Sequence, residues 1–189
     1  MNDSGQAGKA RDELVRIIRA MAPLDGVEEA HQADALGWIA SGVEIYRRVK
    51  PAIPPKHLVV YAVIVDPAPR RTFLIEHRKA GLWLPTGGHV DAGEHPFAAA
   101  KRELLEETGS TLPALSEWPL LLTVQETVGD RVERHTDVTL WYAFTAEPGA
   151  RFILDTDECG KGEWFDAAML SHIDCDPHLT RFMRKLGQY

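Results

Sequence analysis

Cysteine is nearly missing: the 189 residues hold two, Cys159 and Cys175, with no CxxC pair and no zinc-ligand spacing. That excludes a disulfide framework and fits two unpaired thiols in a reducing cytosol. A long hydrophobic run is missing as well. The longest, residues 58–65, is eight residues, against the ~20 that span a bilayer. The N-terminus has neither an uninterrupted apolar stretch nor a small-residue cleavage pattern, so no secretory signal is expected. Basic charge is in deficit: 21 Lys and Arg face 28 Asp and Glu, a formal net charge of −7. Without a basic face, long nucleic acids and anionic membranes are poor partners. No repeat or low-complexity tract occurs. What remains is ordinary for a globular chain, 44% apolar and 26% charged, and long enough to bury a full core. The expectation is a soluble cytoplasmic protein with one domain and an appendage.

The appendage is residues 1–56. Its first eight residues are polar and are expected to fray. Two helices are expected at about residues 10–21 and 27–49, separated by the turn signal Pro23-Leu24-Asp25-Gly26. Leu14, Ile17, Ile18 and Met21 recur at helical spacing, as do Leu36, Ile39 and Val43. These stripes need cover, so the helices are expected to cap a site or form a homodimer interface. A proline-rich connector, residues 50–56, ends the appendage.

Residues 57–189 form the main domain. Residues 58–65 are continuously apolar and β-branched, the mark of a strand covered on both faces. A second strand is expected at 72–76, a hairpin from 118–127 and 135–145, a short strand at 163–165 and helices near 167–171 and 177–186. Strands alternating with helices around a fully covered strand indicate an α/β sandwich.

The chemistry lies between the second strand and the hairpin, in Gly81-Leu-Trp-Leu-Pro-Thr-Gly-Gly-His-Val-Asp-Ala-Gly-Glu94 and the segment after it. Pro96 suits the first helical position and Gly109 the residue just past the end, which predicts a helix over Pro96–Thr108. Phe97, Ala100, Leu104 and Thr108 share its apolar face. Glu103, Glu106 and Glu107 fall on one neighbouring arc, where like charges repel by a few tenths of a kcal/mol per pair. A divalent cation reverses that sign, and hard carboxylate ligands select Mg²⁺ or Mn²⁺ over Zn²⁺. Gly87-Gly88 and Gly93 allow a tight loop beside the carboxylates, able to lend carbonyls to a metal or N–H groups to phosphate. His77, His89 and His95 flank the segment without zinc-type spacing, so no zinc centre is expected from them.

Taken together these residues resemble the signature of the Nudix hydrolases, G-x5-E-x7-R-E-U-x-E-E-x-G-U. It is read here as Gly88, Glu94, Arg102, Glu103, Leu104, Glu106, Glu107 and Gly109, with Ser110 at the final aliphatic place. The resemblance implies a Nudix-type α/β/α sandwich with a mixed β-sheet, to which the N-terminal helices are an extension. It implies Mg²⁺-dependent hydrolysis of a phosphoanhydride in a nucleoside diphosphate-linked substrate, with Mn²⁺ able to substitute. Glu103, Glu106 and Glu107, with the Gly87 carbonyl, would hold the metal, and Glu106 would take the proton from the attacking water. Arg102 and Glu94 would pair and orient loop and helix. Glu158, six residues before Trp164, would be the distal loop carboxylate of MutT-type members, with Glu163 as an alternative.

Substrate contacts are expected from Arg78 to phosphate, from Trp83 stacking a base or filling core, and from His89 or His135. The subfamily marks of ADP-ribose, dinucleoside polyphosphate, NADH and coenzyme A hydrolases are absent; residues 123–127 have neither Pro nor Tyr. This favours a nucleoside triphosphate or other small nucleotide. Among rivals, an isomerase of the isopentenyl diphosphate type relies on a catalytic Cys, and neither Cys lies near the motif. A nucleotide-binding regulator without turnover would show degraded box glutamates, and all are present. A non-nucleotide diphosphate remains open.

Overall fold

In a computed structural model, the described residues are 3–50, 53–66, 68, 71–128, 134–147, 149–154 and 159–188, with side chains described from residue 8. They form, in order, α1 (Asp3–Ala20), α2 (Gly26–Ala40), β1 (Lys56–Val65), β2 (Arg71–His77), β3 (Leu82–Leu84), β4 (Thr86–His89), α3 (Pro96–Thr108), β5 (Leu121–Glu126), β6 (Thr136–Thr145), β7 (Cys159–Asp166) and α4 (Leu179–Leu186). A 3₁₀ turn, Met169–His172, precedes α4.

Seven strands make one mixed sheet in the order β3-β2-β1-β6-β5, with β4 also on β1 and β7 also on β2. β1 and β6 run parallel over their whole length, with His57 opposite Asp137; the other pairs are antiparallel. β1 is central, and its alternating side chains feed two cores. Leu58, Val60, Ala62 and Ile64 face one core with α1 and α3, and Val63 and Val65 face the other with α4. The fold is α/β, with helices on both faces of a mixed sheet. Among the described residues no helix is long and apolar enough to cross a membrane.

The N-terminal helices belong to this packing. Leu14, Ile17, Ile18, Met21 and Ile39 are buried in the same core as the sheet, so the cover that the α1 stripe demands is supplied by the chain itself. α2 lies along β5, and its first turn is tied to α4 by ion pairs. Lys185 Nζ meets Glu28 Oε2 at 2.6 Å, with both side chains nearly buried, and Arg181 pairs with Asp25.

Three local expectations change. α1 begins at Asp3 instead of near residue 10. α2 ends at Ala40 instead of residue 49. There the Ser41 hydroxyl bonds the Trp38 carbonyl at 2.6 Å, and the Glu44 carboxylate accepts from the Ile45 and Tyr46 N–H groups, holding the chain out of helix. β7 runs over Cys159–Asp166, longer than the 163–165 strand expected, because it pairs along nearly all of β2. The expected hairpin of β5 and β6 forms, with residues 129–133 of its connection outside the described set.

Candidate active site

The geometry of α3 fixes the site. His95 caps its start, Nδ1 accepting from the Phe97 N–H at 3.2 Å, and Pro96 takes the first position, where its missing N–H costs nothing. Gly109 ends it in the left-handed conformation (φ 64°), its N–H bonding the Leu105 carbonyl at 2.9 Å. Between these caps Phe97, Ala99, Ala100, Leu104 and Thr108 are buried against the sheet. The glutamates therefore project from the flank, beside β4.

Arg102 organises them. Its Nε and Nη2 grip both Glu94 oxygens at 3.0 and 2.8 Å, and Nη2 also donates to the His89 carbonyl at 3.0 Å. Nη1 reaches Glu103 Oε1 at 2.6 Å and Glu106 Oε2 at 3.2 Å. One guanidinium thus touches three carboxylates, and those hydrogen bonds hold its pKa above its ordinary value. Burial pushes the Glu103 carboxyl up, against the pull of Arg102. At Glu94 burial also opposes ionisation, but the Arg102 bonds win and its pKa is lowered.

The loop closes on the helix from the other side. Glu107 Oε2 accepts the Gly87 N–H at 3.2 Å. A Cβ at Gly88 would lie 2.6 Å from the Glu103 carboxylate, so the glycine leaves that carboxylate its place beside β4. Glu103, Glu106 and Glu107 thus gather beside a Gly87-Gly88 backbone. The set consists of hard oxygens in excess of the positive charge beside it, which fits a divalent cation of the magnesium type.

Arg78 and Trp83 are brought together elsewhere. They line a cleft of about 420 Å³ with Glu76, Leu82 and Gly160, to which none of the α3 glutamates contributes. Trp83 also packs edge-on against Phe165 at 4.8 Å, with the Lys161 ammonium 5.3 Å from its ring centre, so it is half core and half cleft wall. Glu158 lies outside the described residues, immediately before β7. Its alternative, Glu163, pairs with Lys161 at 2.8 Å on an exposed stretch. His77 accepts the Ala80 N–H through Nδ1, and His95 serves as the α3 cap.

His89 does something else with its ring. While its carbonyl holds Arg102, the ring joins His57, His135 and Asp137 at one end of the sheet. The His57 and His89 Nε2 atoms are 2.9 Å apart. Burial, with the nearby charges of Arg47 and the other histidines, pushes the His89 pKa down to about 3. Further along the same face, Tyr61 points its hydroxyl at Asp176, 3.5 Å away, and burial pushes that carboxyl up to about 6. Asp137, Tyr61 and Asp176 were not anticipated from the sequence. The available signal was polar residues at the starts of two apolar strands, His57 before residues 58–65 and His135-Thr-Asp137 before Val138.

Comparison with known proteins agrees with this architecture. Residues 55–186 match the model of the NUDIX domain family. The m7GpppN-mRNA hydrolase NUDT17 of Xenopus laevis is 30% identical over 126 residues, covering 59% of this chain and 42% of that protein. The chain spans less than half the length of the curated relatives it matches. Among solved structures, the dihydroneopterin triphosphate pyrophosphohydrolase of E. coli superposes with a TM-score of 0.54 at 18% identity, over 75% of this chain and 97% of that one. A C. elegans Ap4A hydrolase superposes with 0.56 at 19% identity, over 69% and 95%. At these identities the structural likeness concerns the fold.

Proposed function

The chain belongs to the NUDIX domain family, and on that premise we propose that it is a Mg²⁺-dependent pyrophosphohydrolase of a small nucleotide. The substrate class is a nucleoside triphosphate or modified nucleotide. The observation that carries this reading is the arc of Glu103, Glu106 and Glu107, gathered against Gly87 and Gly88 with Arg102 reaching two of the three. In this proposal Glu103, Glu106, Glu107 and the Gly87 carbonyl hold the cation, which Mn²⁺ can replace. Bound there, a divalent cation would offset the charge of a diphosphate and make water a better nucleophile.

The protein groups have separable tasks. Glu106, the most exposed of the arc, is free to accept the proton of the attacking water, and Glu158 is a second candidate for that base. Arg102, clamped on Glu94 and the His89 carbonyl, keeps loop and helix in register. Arg78 and Trp83, which line a cleft of their own without the α3 glutamates, are assigned the outlying phosphate and base of the substrate. Residues 57–189 are the catalytic domain, and residues 1–56 an extension sharing its core. The net charge of −7 disfavours a long polyanion as substrate and leaves a small one, brought in with its cation, as the partner. We place this activity in the cytoplasm.

The test is a hydrolysis screen in Mg²⁺ over nucleoside triphosphates, oxidised nucleotides, ADP-ribose, dinucleoside polyphosphates and nucleotide sugars. Cleavage of a triphosphate or modified nucleotide to a monophosphate product is expected. Tight binding of a nucleotide with every member left intact would replace this reading with a nucleotide-sensing one.

A further inference from the structure

We propose that His57, His89, His135 and Asp137 form a second cation site, for a transition metal of the zinc class, distinct from the α3 carboxylates. The sheet register assembles it. His57 stands opposite Asp137 in the parallel β1–β6 pair, and His89 stands opposite Val59 in the β1–β4 pair. One ligand atom from each of the four side chains lies within 4.8 Å of the others. Three of the separations are 2.9 Å (His57 Nε2 to His89 Nε2), 3.5 Å (His57 Nε2 to Asp137 Oδ1) and 3.2 Å (His135 Nε2 to Asp137 Oδ1). A tetrahedron with bonds of about 2.0–2.1 Å has edges of about 3.3–3.4 Å, so these three separations are close to the edges of one.

Two further features point to a cation. The His57 Nδ1 lies 2.8 Å from the Pro54 carbonyl and donates its proton there, which leaves the Nε2 lone pair directed at the cluster. This is the outer hydrogen bond that fixes the tautomer of a metal-ligating histidine. Asp137 Oδ1 is buried among the imidazoles with no hydrogen-bond partner. A buried carboxylate oxygen left this way needs a positive partner, and the site's geometry supplies the place for one. Arg47 and Lys50 lie close enough to His89 to oppose a cation there, whereas Asp137 within the cluster favours one.

The donor set sorts the metal. Three imidazoles and one carboxylate suit zinc and its neighbours, while Mg²⁺ prefers the all-oxygen arc on α3. With four protein ligands the coordination is closed, as in structural sites. An ion there would pin β4 to the starts of β1 and β6, and β4 carries Gly87, Gly88 and the carbonyl that holds Arg102.

The full-length chain, stripped of metal and kept in excess Mg²⁺, is titrated with Co²⁺ and with Zn²⁺, following heat and the visible absorption of Co²⁺. One equivalent is expected to bind with a tetrahedral Co²⁺ spectrum, unchanged in a Glu106→Gln/Glu107→Gln variant. Asp137→Asn and His135→Asn should each weaken binding by more than the ~10–100-fold typical of outer-shell partners, with the circular dichroism spectrum retained. His135 is more exposed than the fully buried His57, so its variant decides the matter if Asp137→Asn fails to fold. Absence of binding, loss of binding in the glutamine variant, or undiminished affinity in a folded His135→Asn protein would overturn the proposal.

Discussion

The two faces of the sheet carry polar groups of opposite character. Beside α3, Glu94, Glu103 and Glu106 share one guanidinium, and Glu107 leans on a backbone N–H. That face holds more negative charge than its cation can neutralise. On the α4 face, three imidazoles surround a single carboxylate whose Oδ1 makes no hydrogen bond, and Asp176 lies buried beyond it. There the surplus is of lone pairs in a desolvated setting. One sheet thus offers a hard, charge-rich donor set on one side and a nitrogen-rich set on the other. β4 is shared, through the backbone of Gly87 and Gly88 and the ring of His89.

The contrast can be broken most severely on the α3 face. Glu106→Gln and Glu107→Gln should each lower kcat by about 10²–10⁴, the range of a lost base or charge-stabilising group, with thermal unfolding little changed. A variant that keeps kcat within about tenfold of wild type contradicts the role given to the arc. Next in size is Lys185→Ala, on the opposite side of the molecule. It leaves the buried Glu28 carboxylate without its 2.6 Å partner and should cost about 3 kcal/mol in urea unfolding, without touching the glutamates. Gly88→Ala should do the reverse. The new methyl, 2.6 Å from the Glu103 carboxylate, swings that flexible side chain away. Stability is expected to change little while turnover falls by about 10², as for other angstrom-scale misplacements.

The smallest effect is a pH dependence confined to the α4 face. Asp176 has its folded pKa pushed up to about 6, above its unfolded value of 3.8. The buried carboxylate therefore destabilises the fold above about pH 6, and that cost fades as pH falls towards 4. Asp176→Asn keeps an oxygen for the His178 N–H and should stabilise the protein by roughly 1–2 kcal/mol near pH 8 and by nothing near pH 4. An equal gain at both pH values would mean that packing, and not ionisation, is responsible.

The α3 face is legible in the sequence because its groups are neighbours along one helix. Pro96 and Gly109 bound α3 to the residue, and 3.6-residue periodicity puts Glu103, Glu106 and Glu107 on one side. The continuous apolar character of residues 58–65 likewise announced a strand buried on both faces. The α4 face is not legible in this way, since residues 57, 89, 135 and 137 meet only through strand register, which local spacing does not encode. β4 is hidden in the sequence for a related reason: Thr86-Gly87-Gly88-His89 has no apolar alternation, and it is a strand because β1 pairs with it. The apolar spacing of α2 continues to Val43 and suggests a longer helix, although Ser41 and Glu44 take the backbone out of helix there. The apolar stripe of α1 read as a surface seeking a partner, and that partner proved to be the chain's own sheet.

In the proposed mechanism the α3 carboxylates work by holding a divalent cation against a diphosphate. This is tested most directly by following phosphoanhydride cleavage by the full-length chain in Mg²⁺, in excess EDTA, and after Mg²⁺ is restored. Cleavage that stops in EDTA, returns with Mg²⁺ and is slowed by about 10²-fold or more in Glu107→Gln is the predicted result. Wild-type turnover that persists in EDTA would contradict it.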